Sequence, residues 1–307
     1  MIQKNRPLMI VDRKSHQLFE EEVWGGWALR LLYGDSWMAR TVGRSLLHLV
    51  VRWPYVSWLV GKWYDCAWTR RYIRSFCQRF SIDTDEFLLP IEEFRSFNDF
   101  FTRHLREDAR PQVEGEQQLI VPADGRYTII PQIDCSTILP IKGRKYSLST
   151  LLGDHEKATL FCGGSAVLAR LAPVDCHRFY FPITARVGEP RWIHGSLFSV
   201  NPIAIERRPW IFWKNRRTVT FLEASPAGTI AYIEVGATHC GSIVQTFGYN
   251  TIARKGREKG YFRLGGSTII LLFEPGRVRF ADDLIELSSS GCEIYCQIGQ
   301  ELATAVV

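Results

Sequence analysis

A serine preceded by two consecutive glycines stands near the C-terminus, at Gly265, Gly266 and Ser267, shortly before an apolar run at 269–273. A serine hydroxyl can attack the carbonyl of the residue before it only where the backbone bends into conformations closed to residues with a Cβ, and glycine supplies that freedom. The pattern is therefore suited to a chain that cuts its own backbone between Gly266 and Ser267. An ordinary glycine turn before a strand is the alternative interpretation of these residues alone.

Two further polar sites supply the other groups that a nucleophilic serine needs. Asp124 lies in Val-Pro-Ala-Asp-Gly at 121–125, and His177 lies in Leu-Ala-Pro-Val-Asp-Cys-His-Arg at 171–178. A hydroxyl, an imidazole and a carboxylate together form a proton relay that activates the hydroxyl. Each residue also has a purely structural interpretation, Asp124 as half of an Asp-Gly turn and His177 as a histidine of the core.

The residues that would hold these groups in place lie in a β-rich part of the chain. After about residue 90, short runs of β-forming residues are separated by turns, at 118–122, 126–131, 166–171, 218–222, 229–235 and 267–273. This alternation and spacing predict an antiparallel sheet structure, either a barrel or a sandwich. One helix is predicted before it, around 96–105, with Ser96 as its N-cap. The predicted fold class is therefore α+β.

The first part of the chain differs in composition from the rest. Seven of the ten tryptophans lie between residues 24 and 68, and the segment 24–80 holds nine basic and two acidic residues. Residues 42–51 show the apolar stripe of an amphipathic helix, with Arg44 and Arg52 near or beyond its edges. Aromatic and basic side chains favour an anionic membrane surface, so we expect peripheral attachment there, partly through Arg30, Arg44 and Arg52. A soluble helical bundle with an aromatic core is the alternative.

Composition excludes several classes of protein. A chain of 307 residues with 46% hydrophobic content can bury a large core. No stretch approaches the roughly eighteen apolar residues of a membrane span. The first twenty residues carry both signs of charge and lack the apolar core of a secretory signal, so we expect no export. The eight cysteines include no Cys-x-x-Cys pair, so we expect reduced thiols and no metal site, and no motif supports nucleic-acid binding.

Several motifs, taken in order, resemble the phosphatidylserine decarboxylase family over about residues 90–285. They are the three polar sites above together with Ser-Phe-Asn-Asp-Phe-Phe-Thr-Arg at 96–103, Gly-Ser-Leu-Phe-Ser-Val-Asn at 195–201, Val-Gly-Ala at 235–237, Gly-Ser-Ile at 241–243, Lys-Gly-Arg-Glu-Lys-Gly at 255–260 and Phe-Glu-Pro-Gly at 273–276. So many ordered matches are not expected by coincidence. The basic, aromatic N-terminal segment is similar in character to the membrane-docking helices of that family.

The resemblance implies a self-processing proenzyme that decarboxylates phosphatidylserine to phosphatidylethanolamine. Ser267 would attack the Gly266 carbonyl to form an ester. Elimination and hydrolysis would then leave a pyruvoyl group, derived from Ser267, at the N-terminus of a small chain (267–307), separate from a large chain (1–266). Decarboxylation of an amino acid needs an electron sink for the carbanion that forms at Cα, and the pyruvoyl carbonyl is such a sink.

The composition shift and the resemblance together predict two regions. Residues 1–85 would form a helical, basic and aromatic region that associates with the membrane, and residues 86–307 would form the β-rich catalytic domain. The resemblance also implies a homodimer of processed units. With no signal peptide recognised, we expect the protein to lie peripherally on the cytoplasmic face of the cell membrane.

The resemblance assigns roles to individual residues. His177 matches the first histidine of the family's His-x-x-His element, which is implied to act on the substrate, by protonating Cα after CO2 has left. Asp124 matches the acid that is implied to orient the base of self-cleavage. Tyr180 stands where the family has its second histidine, which is that base, and a phenol is a poor base at pH 7. We expect His177, or else His239, to supply the missing base.

Two alternatives follow from the same residues. Because Tyr180 replaces an expected histidine, the chain could be a non-catalytic lipid-binding relative that has lost maturation. It could also decarboxylate a different serine lipid, since the headgroup chemistry would be shared and lipid tails leave little trace in a sequence.

Overall fold

The computed structural model describes residues 9–22, 26–33, 54–135, 147–201, 204–205, 208, 210–237, 243–265, 267–289 and 291–306. The predicted amphipathic helix at 42–51 lies outside these residues, as do Arg52, Gly266 and His239. No helix within the described ranges is both long and apolar enough to cross a bilayer.

Strands and helices alternate irregularly along the chain, as expected for an α+β protein. The strands are β1 (Met9–Asp12), β2 (Leu18–Glu20), β3 (Gln118–Ile120), β4 (Gly125–Ile130), β5 (Ser165–Leu171), β6 (Arg178–Tyr180), β7 (Ala185–Val187), β8 (Arg191–Ile193), β9 (Arg217–Ala224), β10 (Gly228–Gly236), β11 (Ile243–Gln245), β12 (Thr251–Ala253), β13 (Glu258–Phe262), β14 (Ser267–Phe273), β15 (Val278–Phe280), β16 (Glu293–Cys296) and β17 (Glu301–Ala305). The α-helices are α1 (Gly26–Tyr33), α2 (Pro54–Asp65), α3 (Arg71–Arg79), α4 (Phe97–Phe101), α5 (Leu148–Leu152), α6 (His155–Thr159), α7 (Ile211–Lys214) and α8 (Asp282–Ser289).

One large sheet organises the fold. Its strands follow the order β12-β7-β9-β10-β14-β5-β4-β16-β1-β2, and β8 joins by pairing with β9. Two three-stranded sheets, β11-β13-β6 and β15-β17-β3, pack against it through a shared hydrophobic core. Within the described residues the large sheet is open. The predicted α+β class with sandwich-like layers is therefore confirmed, and the barrel alternative is not adopted.

The strand β14 lies in the middle of the large sheet and is buried along its whole length. It pairs antiparallel with β10 on one side and β5 on the other. Successive side chains of a strand point to opposite faces. Ile269 and Leu271 accordingly pack with Phe262 of the small sheet, whereas Ile270 and Leu272 pack with helices α5 to α7. Each such side chain contributes about 1.5 to 3 kcal/mol by its burial, which makes β14 a main source of stability.

The predicted helix at 96–105 is present but shorter, as α4. Ser96 caps it as predicted, because its Oγ accepts the backbone N–H of Asp99 over 3.1 Å. After Phe101 the chain turns into extended backbone, which pairs at Leu105 with a neighbouring segment. That tertiary pairing ends the helix earlier than its sequence pattern suggests.

Residues 9–20 form β1 and β2 at the edge of the large sheet, where the sequence suggested a helical region. Glu21 follows β2 directly and makes buried ion pairs with Arg126 at 2.7 Å and Arg170 at 2.8 Å. Two strands of four and three residues are too short for their alternation to be recognised in a sequence. The division of the chain between residues 85 and 86 stays a prediction.

One cysteine pair departs from the prediction of reduced thiols. Cys135 and Cys162 form a disulfide, with their Cα atoms 4.8 Å apart. Backbone hydrogen bonds from Ile133 to Gly164 and from Gly163 to Ile133 bring the two loops together. Because these cysteines are 27 residues apart in the chain, their spacing gives no sign of this contact.

Candidate active site

Ser267 is the first residue of the central strand β14, and it is completely buried. It pairs with Leu171 of β5 on one side and with Gly236 of β10 on the other. Gly236 lies directly across from the serine and presents no side chain beside it. The Ser267 hydroxyl has no hydrogen-bond partner among the residues that the structure describes. The hydroxyl is therefore available for chemistry rather than engaged in holding the fold.

The segment that leads into Ser267 is fixed in place just before the serine. Leu264 is buried, and its backbone N–H donates to Oδ1 of Asn98 over 3.1 Å. Gly265 follows with φ of +146°, a conformation that residues with a side chain rarely adopt. The backbone freedom that the sequence predicted for this position is thus used at Gly265.

His177 lies in the turn between β5 and β6, beside the same segment. The backbone N–H of Phe262, at the end of β13, donates to the His177 carbonyl over 2.9 Å. The Nδ1 atom of His177 lies 3.1 Å from the carbonyl oxygen of Asp175. A carbonyl can only accept, so Nδ1 carries the ring proton and Nε2 presents a lone pair. The ring packs on Phe101, with the two ring centroids 3.8 Å apart.

Burial keeps this imidazole neutral. It lowers the pKa of His177 to about 3, an effect that outweighs the hydrogen bond to the Asp175 carbonyl. The positive charges of Arg103 and Arg126 lower the pKa further, whereas the backbone of Gly265 acts to raise it. His177 at neutral pH is therefore an uncharged group whose Nε2 atom can take up a proton.

Buried polar atoms without a hydrogen-bond partner include the groups of this site. The described residues contain six such atoms, and two of them, on Glu21 and Arg126, face each other in the 2.7 Å ion pair. The other four belong to Arg103, His177, Ser267 and Thr268, and Thr268 points to the opposite face of β14 from Ser267. Folded proteins leave very few buried polar groups unpaired, so the unpaired atoms of His177 and Ser267 point to a functional site.

Asp124 lies between β3 and β4 and is almost fully buried. Its carboxylate accepts hydrogen bonds from the Arg110 guanidinium, the shortest at 2.9 Å, and from the Ile298 backbone N–H at 2.8 Å. Within the described part of the chain it makes no hydrogen bond to His177 or Tyr180. Tyr180 lies close to this segment, because its backbone N–H is bonded to the carbonyl of Pro122, two residues before Asp124.

Tyr180 ends β6, and its backbone N–H donates to the Pro122 carbonyl over 2.9 Å. Burial raises the pKa of its phenol well above the ordinary value of 10, and the charges of Glu258 and Asp124 act in the same direction. The phenol therefore holds its proton even more firmly than in water. This environment makes Tyr180 unsuitable as a base.

Three residues of the site were missed in the sequence, although all lie in the motif at 96–103. They are Asn98, which holds Leu264, Phe101, which packs on His177, and Arg103, whose charge reaches His177. The local pattern of this motif predicts only a capped helix. The available signal was that Asn98 and Arg103 stand among three phenylalanines, at 97, 100 and 101.

Comparison with known proteins places this site in a family. The sequence profile of the phosphatidylserine decarboxylase family matches residues 97–304, a span that includes Asn98, Asp124, His177 and Ser267. The chain belongs to the phosphatidylserine decarboxylase family.

Particular relatives match nearly the whole chain. A phosphatidylserine decarboxylase proenzyme of Chlamydia pneumoniae is 42% identical over 292 residues, which is 95% of this chain and 95% of the relative. Proenzymes of the same name from Chlamydia muridarum and Chlamydia caviae are 38% and 41% identical, covering 97% and 98% of this chain and 98% and 99% of the relatives.

The buried, neutral His177 generates a prediction about stability and pH. Its pKa is about 3 in the folded chain and about 6.5 when unfolded, so between these values the unfolded chain binds more protons. The stability that depends on a neutral His177 is fully present above pH 6.5 and is lost as the pH falls toward 3. Between pH 7 and pH 5 the loss should be about 2 kcal/mol.

The measurement is chemical denaturation at pH 7 and pH 5 in two proteins. One carries Ser267→Ala, which keeps the chain whole, and the other carries Ser267→Ala together with His177→Asn. All other titrating groups are common to both. From pH 7 to pH 5, the free energy of unfolding of the first protein should fall by about 2 kcal/mol more than that of the second. Equal losses would show that His177 is not held neutral by the fold.

Proposed function

We propose that this protein is a phosphatidylserine decarboxylase that matures by cutting its own chain between Gly266 and Ser267. It would use the pyruvoyl group formed from Ser267 to convert phosphatidylserine to phosphatidylethanolamine. The observation that supports this most directly is the buried, unpaired Ser267 hydroxyl, placed directly after the glycine pair in a member of the phosphatidylserine decarboxylase family. The relatives that match nearly the whole chain are named proenzymes, which supports processing.

Self-cleavage would begin with His177, whose Nε2 is buried and unpaired and whose carbonyl is bonded to Phe262, in the strand that leads to the cleavage segment. Nε2 takes the proton from the Ser267 hydroxyl while the oxygen attacks the Gly266 carbonyl carbon. The same proton then goes to the backbone nitrogen of Ser267 as the peptide bond breaks, and an ester replaces it. β-Elimination then releases Gly266 as a free carboxylate and leaves a dehydroalanine at position 267. One water molecule adds to it and its nitrogen leaves as ammonia, which gives the pyruvoyl group.

The residues around Ser267 suit a carbonyl group at that position. Gly236, directly across from Ser267, has no side chain to compete for that position, and the unpaired Nε2 of His177 is available as a partner for a polar group derived from Ser267. When formed, the group supplies the carbonyl that withdraws electrons from the substrate Cα as CO2 leaves. Nε2 of His177 would relay a proton from the substrate's ammonium group to Cα, so that the imidazole is charged only during the transfer. Phe101 would exclude water from that transfer.

After the cut, the two chains would stay together through β14. The small chain 267–307 supplies the central strand, which lies between β5 and β10 of the large chain 1–266. Its side chains are buried on both faces. Separation would expose this apolar surface, so the processed enzyme is expected to remain one unit. The homodimer of processed units stays a prediction.

A membrane-facing surface is proposed on α2, α3 and the turn between them. Leu59, Trp63, Trp68 and Tyr72 are 59%, 41%, 41% and 39% exposed. The Arg71 guanidinium lies 4.9 Å from the Trp68 ring centroid and 5.0 Å from that of Tyr72. Exposed aromatic rings beside a cation suit the interface of an anionic bilayer, where phosphatidylserine lies. We place this surface on the cytoplasmic leaflet.

Two other candidate functions can be distinguished from this one by identifying the lipid product and by testing whether the chain is cut. The environment of Tyr180 favours a lipid-binding relative that never matures, because the phenol cannot replace a histidine base. Such a protein would stay a single chain and release no CO2. A decarboxylase of another serine lipid would mature but would prefer that lipid over phosphatidylserine.

Self-cleavage should depend on His177 and not on Tyr180. We expect His177→Gln to slow cleavage about 10² to 10⁴-fold, the usual cost of losing a general base, and Tyr180→Phe to leave the rate within about twofold. The measurement is a time course of denaturing electrophoresis that follows release of fragment 267–307. Ser267→Ala serves as the uncut control. An intact Tyr180→Phe chain beside a normally cleaved His177→Gln chain would contradict the proposed base.

Membrane binding should depend on the aromatic surface of α2 and α3. Arg71→Gln should weaken binding to phosphatidylserine vesicles about fivefold at low salt and little at high salt, since one basic residue contributes about 1 kcal/mol near an anionic surface. The double variant Trp63→Ser, Trp68→Ser should weaken vesicle binding at both low and high salt. Trp192→Ser is the matched control, because Trp192 is 47% exposed on β8. An equal loss with Trp192→Ser would reject the assigned surface.

A further inference from the structure

Arg103 differs from every other buried arginine in the described residues. Three of the others face carboxylates: Arg126 with Glu21 and Asp175, Arg170 with Glu21 and Glu293, and Arg178 with Glu258. A fourth, Arg217, has no carboxylate but donates to the carbonyls of Thr150, Leu151, Trp213 and Asn215. Arg103 faces no carboxylate in the part of the chain that the structure describes, and it has only two carbonyl acceptors there, one of them at 3.5 Å.

The guanidinium of Arg103 is only partly satisfied. It donates to the Val174 carbonyl over 2.7 Å and to the Phe100 carbonyl over 3.5 Å, at the limit of a hydrogen bond. Its Nε atom has no partner, and the residue is 4% exposed. The cation lies 5.0 Å from the Phe87 ring centroid and 4.8 Å from that of Phe100. Burying a cation without an anion costs stability, so this arrangement needs a compensating function.

Arg103 belongs to the candidate active site. It is two residues from Phe101, whose ring packs on His177. Its bond to Val174 fixes it to the turn that carries His177, and its positive charge is one of those that act on the imidazole. An anion held by Arg103 would therefore lie next to the group proposed to transfer protons.

We propose that Arg103 binds the phosphodiester of the substrate headgroup in the processed enzyme. This proposal rests on the proposed function, which supplies a phospholipid substrate. The guanidinium offers a planar set of donors that matches the two charged oxygens of a phosphodiester. The substrate carboxylate is the poorer choice, because a cation holding it would stabilise the ground state that loses this charge as CO2 leaves.

The proposal also couples binding to processing. In the uncut chain Ser267 and His177 have no exposed surface, and Arg103 is 4% exposed. The segment in front of Ser267 is held by Leu264, which is buried and bonded to Asn98. A headgroup can reach Arg103 only when the cut has freed this segment from β14. The uncut chain should therefore not bind the headgroup in this site.

The test uses processed enzyme with Arg103→Met and Arg103→Lys, assayed on phosphatidylserine in mixed micelles. Glycerophosphoethanolamine is the competing probe, because it has the phosphodiester and the amine but no carboxylate. For Arg103→Met, KM for phosphatidylserine and the inhibition constant of the probe should rise by the same factor, about 10 to 100-fold, as for loss of a hydrogen-bonded charge. For Arg103→Lys, both constants should lie between those of the parent and those of Arg103→Met. For both variants, kcat should stay within about threefold of the parent value.

Two controls separate this role from a structural one and from the proposed function itself. Arg106→Met removes an exposed arginine three residues away, paired with Asp108, and should change neither constant. Arg103→Met should unfold at an equal or higher temperature than the parent, whereas loss of a structural arginine would lower it. Release of fragment 267–307 from the parent shows that the proposed processing holds, whatever Arg103 does.

Three results would overturn the inference. A rise in KM without a rise in the inhibition constant would assign Arg103 to the carboxylate. No change in either constant would remove Arg103 from binding altogether. Calorimetric binding of glycerophosphoethanolamine to the uncut Ser267→Ala chain, as tight as to processed enzyme, would reject the coupling to processing.

Discussion

The pairing of β14 with β5 and β10 determines what the rest of the molecule can do. Seven consecutive residues, beginning with Ser267, are paired with residues of both neighbouring strands and are buried on both faces. The chain must therefore enter the middle of a sheet from outside it, and Gly265 makes that entry possible with φ of +146°. The Ser267 hydroxyl is thereby held in the interior, directly after a backbone segment with positive φ. The same pairing would hold the two products of a cut together.

Exclusion of water is the second consequence of this placement. In such an interior a charge is stable only when it is paired, and most charges near the site are. Asp124 is neutralised by Arg110, and Asp175 by Arg126. His177 meets the constraint by staying neutral. Arg103 is the exception. Its buried charge faces no carboxylate of the described residues, and this observation supports the proposal that it binds an anionic group of the substrate.

Much of this arrangement could be predicted from the sequence, because it depends on local patterns. The six predicted β-runs correspond to β3, β4, β5, β9, β10 and β14, and Ser96 caps its helix. Alternation and capping are properties of residues that are close in the sequence, so they can be recognised without knowledge of the fold. The Gly-Gly-Ser pattern likewise indicated the start of β14.

What could not be predicted depends on contacts between distant parts of the chain. The partner of Asp124, the Cys135–Cys162 disulfide and the pairing of β1 with β16 join residues that no local pattern relates. The missing acid partner of Arg103 is of the same kind, since an unpaired charge is visible only once all its neighbours are known. The substitution at Tyr180 was evident in the sequence, but its raised pKa follows from burial.

The central claim is that Ser267 is converted, within the chain itself, into the carbonyl that performs the reaction. Intact mass spectrometry of the purified, active protein tests it most directly. The account predicts two chains, with the chain 267–307 lighter by one ammonia than a peptide that begins with serine. A single chain of 307 residues, or a small chain with an unmodified serine at its N-terminus, in a preparation that still decarboxylates phosphatidylserine would contradict it.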